Sequence, residues 1–377
     1  MTGPATVLWV TKGLGRGGAE QLLVTLAGAL DRQSVELHVA YVLPHKDALA
    51  PQLAAAGVTL HCIGHGVSGG FWWPVRLAQL ISRLSPDVVH THAPLPGAVA
   101  RVVARRRALV HTEHNVWARY RLPTRWANAV TLRRNRVVFA VSQGVAASIR
   151  PGRLTGALPP VEVMLHGIDP ALSAHGPEAR AHARRRLELS SEAFVVGTVA
   201  NFTPKKDQDT LLRAIALLRR DVPSVELVLV GGGPREAHLK TLARELGIDR
   251  ITHFAGVRDD VPQILPAFDA FGLSSRHEGL SIALLEAMAS HVPAVATAVG
   301  GVPEVIHHEA DGLLVPAGDP RALADGLRTI ADDDRLRERL ASAARLSAET
   351  FGIEPAAARL TACYAELAGL RLEGSVA

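Results

Sequence analysis

Glu278 and Glu286 stand eight residues apart in the stretch RHEGLSIALLEAMASHVPAVATAVGGVPEVI, which runs from Arg276 to Ile306. The residues from Ser281 to Ser290 are otherwise nearly all Leu, Ile, Ala and Met, an apolar density usual for a helix in a core. A carboxylate in such a run needs a partner, because burying an unpaired charge is costly. If a helix begins at Ser281, the free N–H groups of Gly279, Leu280 and Ser281 carry partial positive charge and favour a phosphate. Glu278 then lies on the loop just ahead, and Glu286 lies roughly a turn and a half inside the helix. A loop acid can bind sugar hydroxyls while a helix acid binds a ribose, with a phosphate between them. The bland alternative is a solvated Glu278 and a Glu286 paired with an arginine.

Other residues offer complementary chemistry. In TKGLGRGGAE, Gly13, Gly15 and Gly18 fit G-x-G-x-x-G, with Arg16 and Gly17 between them. A dinucleotide fingerprint also requires an acid at the end of the second strand. That run ends Tyr41, Val42, Leu43, Pro44, with no carboxylate before Asp47. A nicotinamide cofactor is therefore disfavoured, which leaves a backbone able to approach an anion or a turn that merely needs glycine. LVGGGPRE, containing Gly232, is a second such turn. VANFTPKKDQDTLL places Lys205 and Lys206, near Asn201, where a loop meets a helix and could grip a diphosphate. His90, His92, His111 and His114 all fall at candidate strand ends. As metal ligands they lack a convincing third partner. An imidazole also serves as a hydrogen-bond partner or proton acceptor near neutral pH. Asp332, Asp333 and Asp334 resemble a D-x-D metal motif but read better as the cap of a helix starting near Arg335.

The elements that must position these groups form a repeating pattern. Short β-branched runs start at Thr6, Val35, Thr59, Asp87, Ala108, Val137 and Val161. A second series starts at Phe194, Val225, Ile251, Phe268, Ala294 and Gly312. Amphipathic stretches such as Asp209 to Arg220 and Arg235 to Leu246 fill the gaps. Strand and helix alternating in this way predict parallel sheets with helices on both faces. The series restarts after LHGIDP, where Pro170 begins a polar stretch, so the domain change is placed near Gly167. The expectation is an α/β chain of two doubly wound domains facing a cleft, with ligands beyond the carboxyl ends of the strands.

Composition narrows the class. A chain of 377 residues is too long for one compact core. No apolar run reaches the roughly 18 residues of a membrane span, and the first residues read as a strand and loop rather than a secretory leader. Two cysteines, Cys62 and Cys363, in apolar surroundings without C-x-x-C spacing suggest a reducing cytosol and no zinc cage. Few aromatics argue against base-stacking platforms, so no nucleic-acid partner is expected. Residues 101 to 150 hold eleven arginines against one acid, Glu113, a net of +10, with Trp117, Tyr120 and Trp126 among them. Such a segment can face anionic lipid headgroups or nucleic acid, or is simply a solvated basic face.

With these residues in view, Arg276 to Ile306 resembles the E-x7-E region of family 4 of the glycosyltransferases. GGAEQLLVTLA from Gly17, PDVVHTHAPLPG from Pro86, HTEHNVW from His111, VSQGV from Val141, HGID from His166 and LVGGGPR from Leu229 occur in the family's order. The resemblance implies a GT-B fold. Residues 1–167 would form an acceptor domain joined by a C-terminal helix within 352–377, the helix itself spanning about Glu354 to Leu370. Residues 168–351 would form the nucleotide-sugar domain. It also implies retention of anomeric configuration without a metal or other cofactor.

By the same resemblance Glu278 contacts the donor sugar, Glu286 the ribose, and Gly279, Leu280 and Ser281 the diphosphate. Lys206 grips the diphosphate, and Arg258 belongs to the loop that meets the base. The donor-side set also includes Gly15, Arg16, Gly17, Gly18, Asn201, Lys205 and Gly232. Asn201 stands where the family often has an arginine, which leaves Lys205 or Arg16 to compensate. His111 is implied near the donor sugar as a catalytic group with Glu278 and Lys206, while His92 and His114 are acceptor-side. His291 replaces the glycine of A-x-G-x-P.

No second carboxylate is evident to act as nucleophile, unlike in retaining glycosidases. Front-face transfer is therefore expected, with the leaving diphosphate helping to take the acceptor proton. The expected partners are a UDP- or GDP-linked sugar, a glycan or lipid-linked acceptor in cell-envelope polysaccharide synthesis, and an anionic membrane at the inner face of the cell. An NAD-dependent oxidoreductase and a non-catalytic nucleotide-sugar binder are the alternatives.

Overall fold

The computed structural model describes residues 3–66, 69–150, 157–165, 167–169 and 173–369. His166, Pro170 and Leu370, which the sequence reading used, lie outside these residues. The chain divides into one unit of Met1–Gly167 with Ile353–Ala377 and a second of Ile168–Gly352.

The first unit runs β1 (Ala5–Thr11), α1 (Gly18–Ala29), β2 (Val35–Tyr41), α2 (Ala50–Ala55), β3 (Thr59–Cys62), α3 (Trp73–Leu84), β4 (Val88–Thr91), α4 (Pro94–Val103), β5 (Ala108–Glu113), α5 (Leu122–Thr131), β6 (Val137–Ala140), α6 (Gln143–Ser148) and β7 (Val161–Val163). All seven strands are parallel in the order β3-β2-β1-β4-β5-β6-β7. The second unit runs α7 (Pro177–Arg186), β8 (Phe194–Val199), α8 (Gln208–Leu218), β9 (Val225–Val230), α9 (Glu236–Glu245), β10 (Thr252–Gly256), α10 (Val261–Ile264), β11 (Ala270–Leu273), α11 (Ile282–Ala289), β12 (Ala294–Thr297), β13 (Leu313–Val315), α12 (Pro320–Asp332) and α13 (Asp334–Glu349). Its parallel sheet is ordered β10-β9-β8-β11-β12-β13. The final helix, α14 (Ile353–Ala368), returns to the first unit and packs on α1, β1 and β4.

Each β-branched run of the sequence is a strand, because central parallel strands are buried on both faces and so read as continuous apolar stretches. Val7 to Val10 and Val195 to Gly197 are buried in this way. The strand order reverses between β1 and β4 and again between β8 and β11, so each sheet has a switch point where the flanking loops diverge and leave space for a ligand. β1 and the helix after it meet the first of these, and the loops after β8 and β11 meet the second.

A hydrogen-bonded set seals α14 onto the first sheet. Trp9 Nε1 donates to Tyr364 Oη at 2.9 Å, and Tyr364 Oη lies 2.5 Å from His90 Nδ1. The indole can only donate, so the phenol oxygen accepts from Trp9 and also bonds the His90 ring. On its other side His90 Nε2 lies 2.8 Å from Thr112 Oγ1. Asp333 caps α13 by accepting from Leu336 N at 2.9 Å, as the acidic run predicted. Cys62 departs from expectation: on the outer strand β3 it is exposed rather than in apolar surroundings, whereas Cys363 is buried.

Candidate active site

In the second unit, the loop after β11 and the start of α11 form the centre of the site. Ser281 is the N-cap of α11, one residue outside the helix that the sequence began there, and its side chain makes no capping bond. Among the described residues, the backbone N–H groups of Gly279, Leu280, Ser281, Ile282 and Ala283 find no acceptor. Five free amides at one helix start form a ready anion cradle. The loop is fixed from behind. Gly301 N donates to Gly279 O at 2.9 Å. Gly300 has φ 56, and a Cβ there would stand 1.9 Å from Glu278 O. Only glycine allows this contact.

Glu278 is buried, so the solvated-loop alternative falls. Its Oε1 accepts from Lys206 Nζ at 2.5 Å and from Ser275 Oγ at 2.5 Å. The two residues assigned to sugar and diphosphate are therefore paired with each other. The pair retains capacity: one carboxylate oxygen and two of the three ammonium protons have no protein partner among the described residues. Lys206 is set by a turn, its N–H donating to Thr203 O at 3.0 Å and its carbonyl accepting from Ser274 Oγ at 3.0 Å. Lys205 contributes its carbonyl to Arg276 N at 2.8 Å, and Arg276 in turn pairs with Asp207 at 2.8 Å.

Glu286 lies on the second turn of α11, half-buried. Among the described residues no arginine pairs with it, contrary to the bland alternative, and none hydrogen-bonds its carboxylate. Crowding by protein atoms dominates despite the partial exposure, and desolvation pushes its pKa up to about 7.

The surrounding loops hold backbone close to this centre. Gly232 O accepts from Phe202 N at 2.8 Å, and Asn201 O accepts from Gln208 Nε2 at 3.2 Å. The Arg258 guanidinium is held by a bidentate pair with Asp260 at 2.7 and 2.6 Å, which fixes the side chain along its own loop. His291 takes φ 62 just past α11, where its N–H donates to Met288 O and the next N–H, of Val292, donates to Ala287 O. That is the left-handed helix terminus that glycine usually fills.

In the first unit, the four histidines separate by face and depth. His90 and His111 are inside β4 and β5 with no exposed surface, not at strand ends as expected. His111 Nδ1 pairs with Thr91 Oγ1 at 2.8 Å, and desolvation, then the Arg101 charge, lowers its pKa. His92 and His114 sit just beyond the strand ends, with ring nitrogens 3.4 Å apart. Desolvation pushes His114 down to about 4, so it is neutral across the physiological range. Glu113 holds the following loop by accepting from Trp117 Nε1 at 2.9 Å, Asn115 N at 3.3 Å and the Tyr120 hydroxyl. The turn with Gly15, Arg16, Gly17 and Gly18 leads into α1. A Cβ on Gly13 would meet Lys46 Cβ at 2.9 Å, so this turn needs glycine for close packing as well as for any ligand.

The sequence reading missed two partners. One was the Lys206–Glu278 ion pair, which no spacing rule indicates across 72 residues. The other was Arg101, fully buried on α4 and bound to Asn128 Oδ1 at 2.6 Å. A lone arginine inside the apolar run PGAVARVVA was the available signal for it. Among the described residues no group of three or more His, Cys, Asp or Glu is arranged to hold a metal, and no helix is long and apolar enough to cross a membrane.

Two doubly wound parallel-sheet units with an anion cradle at a helix start define the GT-B architecture. Anabaena HepE, solved in complex with UDP and glucose, shares it with a TM-score of 0.85 at 23% identity, over 96% of this chain and 100% of that one. The chain belongs to the family 4 glycosyltransferases: residues 16–172 match the model described as Glycosyltransferase Family 4, and residues 179–347 match that of Glycosyl transferases group 1. It is 32% identical to the D-inositol 3-phosphate glycosyltransferase of Actinosynnema mirum, over 93% of this chain and 92% of that protein. It is 30% identical to a GDP-mannose-dependent alpha-(1-6)-phosphatidylinositol monomannoside mannosyltransferase of Mycobacterium tuberculosis, covering 85% and 87%. The oxidoreductase and non-catalytic alternatives are unsupported, the first also because β2 ends without an acid.

Proposed function

We propose that the protein is a retaining, metal-independent glycosyltransferase that moves a sugar from a nucleoside-diphosphate donor to a lipid-linked acceptor. The observation that carries the donor half is the row of free amides at the start of α11, flanked by Lys206, Glu278 and Glu286. The amides and Lys206 take the diphosphate and stabilise it as it leaves. Glu278 accepts hydrogen bonds from the sugar and Glu286 from the ribose. Asn201, Lys205, Gly232 and the Arg258 loop complete the donor contacts, and Arg16 with Gly15, Gly17 and Gly18 lies on the first unit's turn. Because the phosphate charge is met by amides and an ammonium, no metal is required. The leaving phosphate oxygen takes the acceptor proton on the face it departs from, which retains configuration.

His111, inside its strand without exposed surface, is assigned a positioning role. His114, half-buried beyond the strand end and neutral, is the imidazole assigned to touch the substrate, with His92 beside it. The relatives' names span an inositol 3-phosphate and a phosphatidylinositol monomannoside. The basic, aromatic segment of the first unit favours the lipid-linked class and a working location at the inner face of a membrane. The test is a thermal-shift panel of UDP- and GDP-sugars, followed by transfer assays on the stabilising donors with anomeric configuration read by NMR. No stabilisation by any nucleotide sugar, or product of inverted configuration, would overturn the proposal.

A further inference from the structure

The helices α3, α4 and α5 each start beyond the carboxyl end of their preceding strand, and α4 packs against both of the others. Large apolar side chains stand in solvent along these starts. Phe71 is 97% exposed and Trp72 71% just before α3; Leu122 is 73% and Trp126 68% exposed on α5. Leu122, Trp126 and Val130 recur every fourth residue, so they share one exposed face of α5. Arg119, Arg121, Arg125 and Arg133 are exposed around them. The only acid between 101 and 150, Glu113, is buried. The accessible charge of residues 101–150 is therefore entirely positive.

Exposed apolar side chains of this size along adjoining helices mark an interaction surface, and the surrounding charge selects the occupant. A second copy seated symmetrically would bring like arginines together. An anionic headgroup layer complements them, and the mixture of Trp, Leu and Arg matches the depth profile of that layer, with apolar bodies inward and guanidinium groups at phosphate level. We propose that this row of helix starts is the face by which the first unit lies on an anionic lipid membrane. It shares the carboxyl edge of the sheet with His92 and His114, so an acceptor held in the membrane would be presented beside the acceptor-side imidazoles. The inference rests on the lipid-linked acceptor proposed above and names the surface that meets it.

Co-sedimentation with phosphatidylcholine vesicles and with vesicles of equal phosphatidylcholine and phosphatidylglycerol tests it, at low and physiological salt. Binding to the mixed vesicles is expected to exceed binding to the neutral ones by at least about tenfold and to weaken with salt. The exposed pair Leu122→Ser with Trp126→Ser should lower it about tenfold, and Arg121→Gln with Arg125→Gln should lower it similarly while flattening the salt dependence. Glu286→Gln should leave vesicle binding unchanged while weakening donor binding, so failure of the donor-site reading and failure of the surface are separable. Negligible or equal binding to both vesicles, full binding by the Leu122/Trp126 variant, or a solution dimer abolished by Trp126→Ser would each overturn the proposal.

Discussion

Glu286 offers a direct measure of how the donor is held. Its carboxyl is raised to about 7 by desolvation, and it has no partner among the described residues. Hydrogen bonds from ribose hydroxyls favour the ionised form and would draw the pKa back down. Donor binding should therefore release a proton, about half a proton at pH 7. Affinity for UDP-glucose or GDP-mannose should rise about tenfold from pH 6 to pH 8 and then level off, following the ionised fraction of a group titrating near 7. The diester diphosphates of these sugars do not titrate in this window, so the change reports the protein. Isothermal titration in buffers of different ionisation enthalpy counts the protons, and Glu286→Gln should abolish both effects. The free protein carries the opposite sign. A carboxyl raised in the folded state makes the native form bind more protons than the unfolded one between its unfolded pKa and about 7. Stability therefore falls as pH rises through that window, by up to about 3 kcal/mol. Glu286→Gln should then raise the melting temperature at pH 8. Proton-neutral binding of a donor, with affinity flat in pH and unaltered in the Gln variant, would refute the assignment of Glu286 to the ribose.

Four further outcomes follow from particular contacts. Tyr364→Phe should cost about 2 kcal/mol in chemical unfolding, because it leaves buried groups of Trp9 and His90 unmatched; a change within error would mean water replaces the hydroxyl. His291→Gly should stabilise by about 1 kcal/mol by relieving the left-handed backbone; a loss would show that the 3.0 Å contact to Glu338 dominates. Gly300→Ala should displace the Glu278 loop and abolish donor binding even if the fold survives, measured by thermal shift with nucleotide sugar. Transfer activity should persist in EDTA, and loss restored by Mg²⁺ or Mn²⁺ would disprove the amide-and-lysine account of phosphate charge.

The strands were legible because a central parallel strand leaves an unbroken apolar run, as at Val7 to Val10, and the helix carrying Glu286 was legible from the same density. Asp333 was readable as a cap because capping is local. Pairings across long stretches of chain were not. Nothing near Lys206 announces that it will be neutralised by Glu278, and nothing near Tyr364 announces Trp9 and His90. Strand pattern also misjudged depth at the histidines: alternation gives the face of a residue, but how far the strand continues before the loop decides whether His111 or His114 is accessible.

The return of α14 to the first unit has a consequence for synthesis. Tyr364 closes onto Trp9 and His90 only after the whole of the second unit has left the ribosome. During translation the first sheet waits with one flank of β1 and β4 uncovered, while the second unit, contiguous from Ile168 to Gly352, has all of its own chain. Domains emerging in order usually fold in order. Here the unit begun first is completed last, so a stop codon placed before Ile353 should expose the amino-terminal sheet to proteolysis while leaving the downstream unit protected.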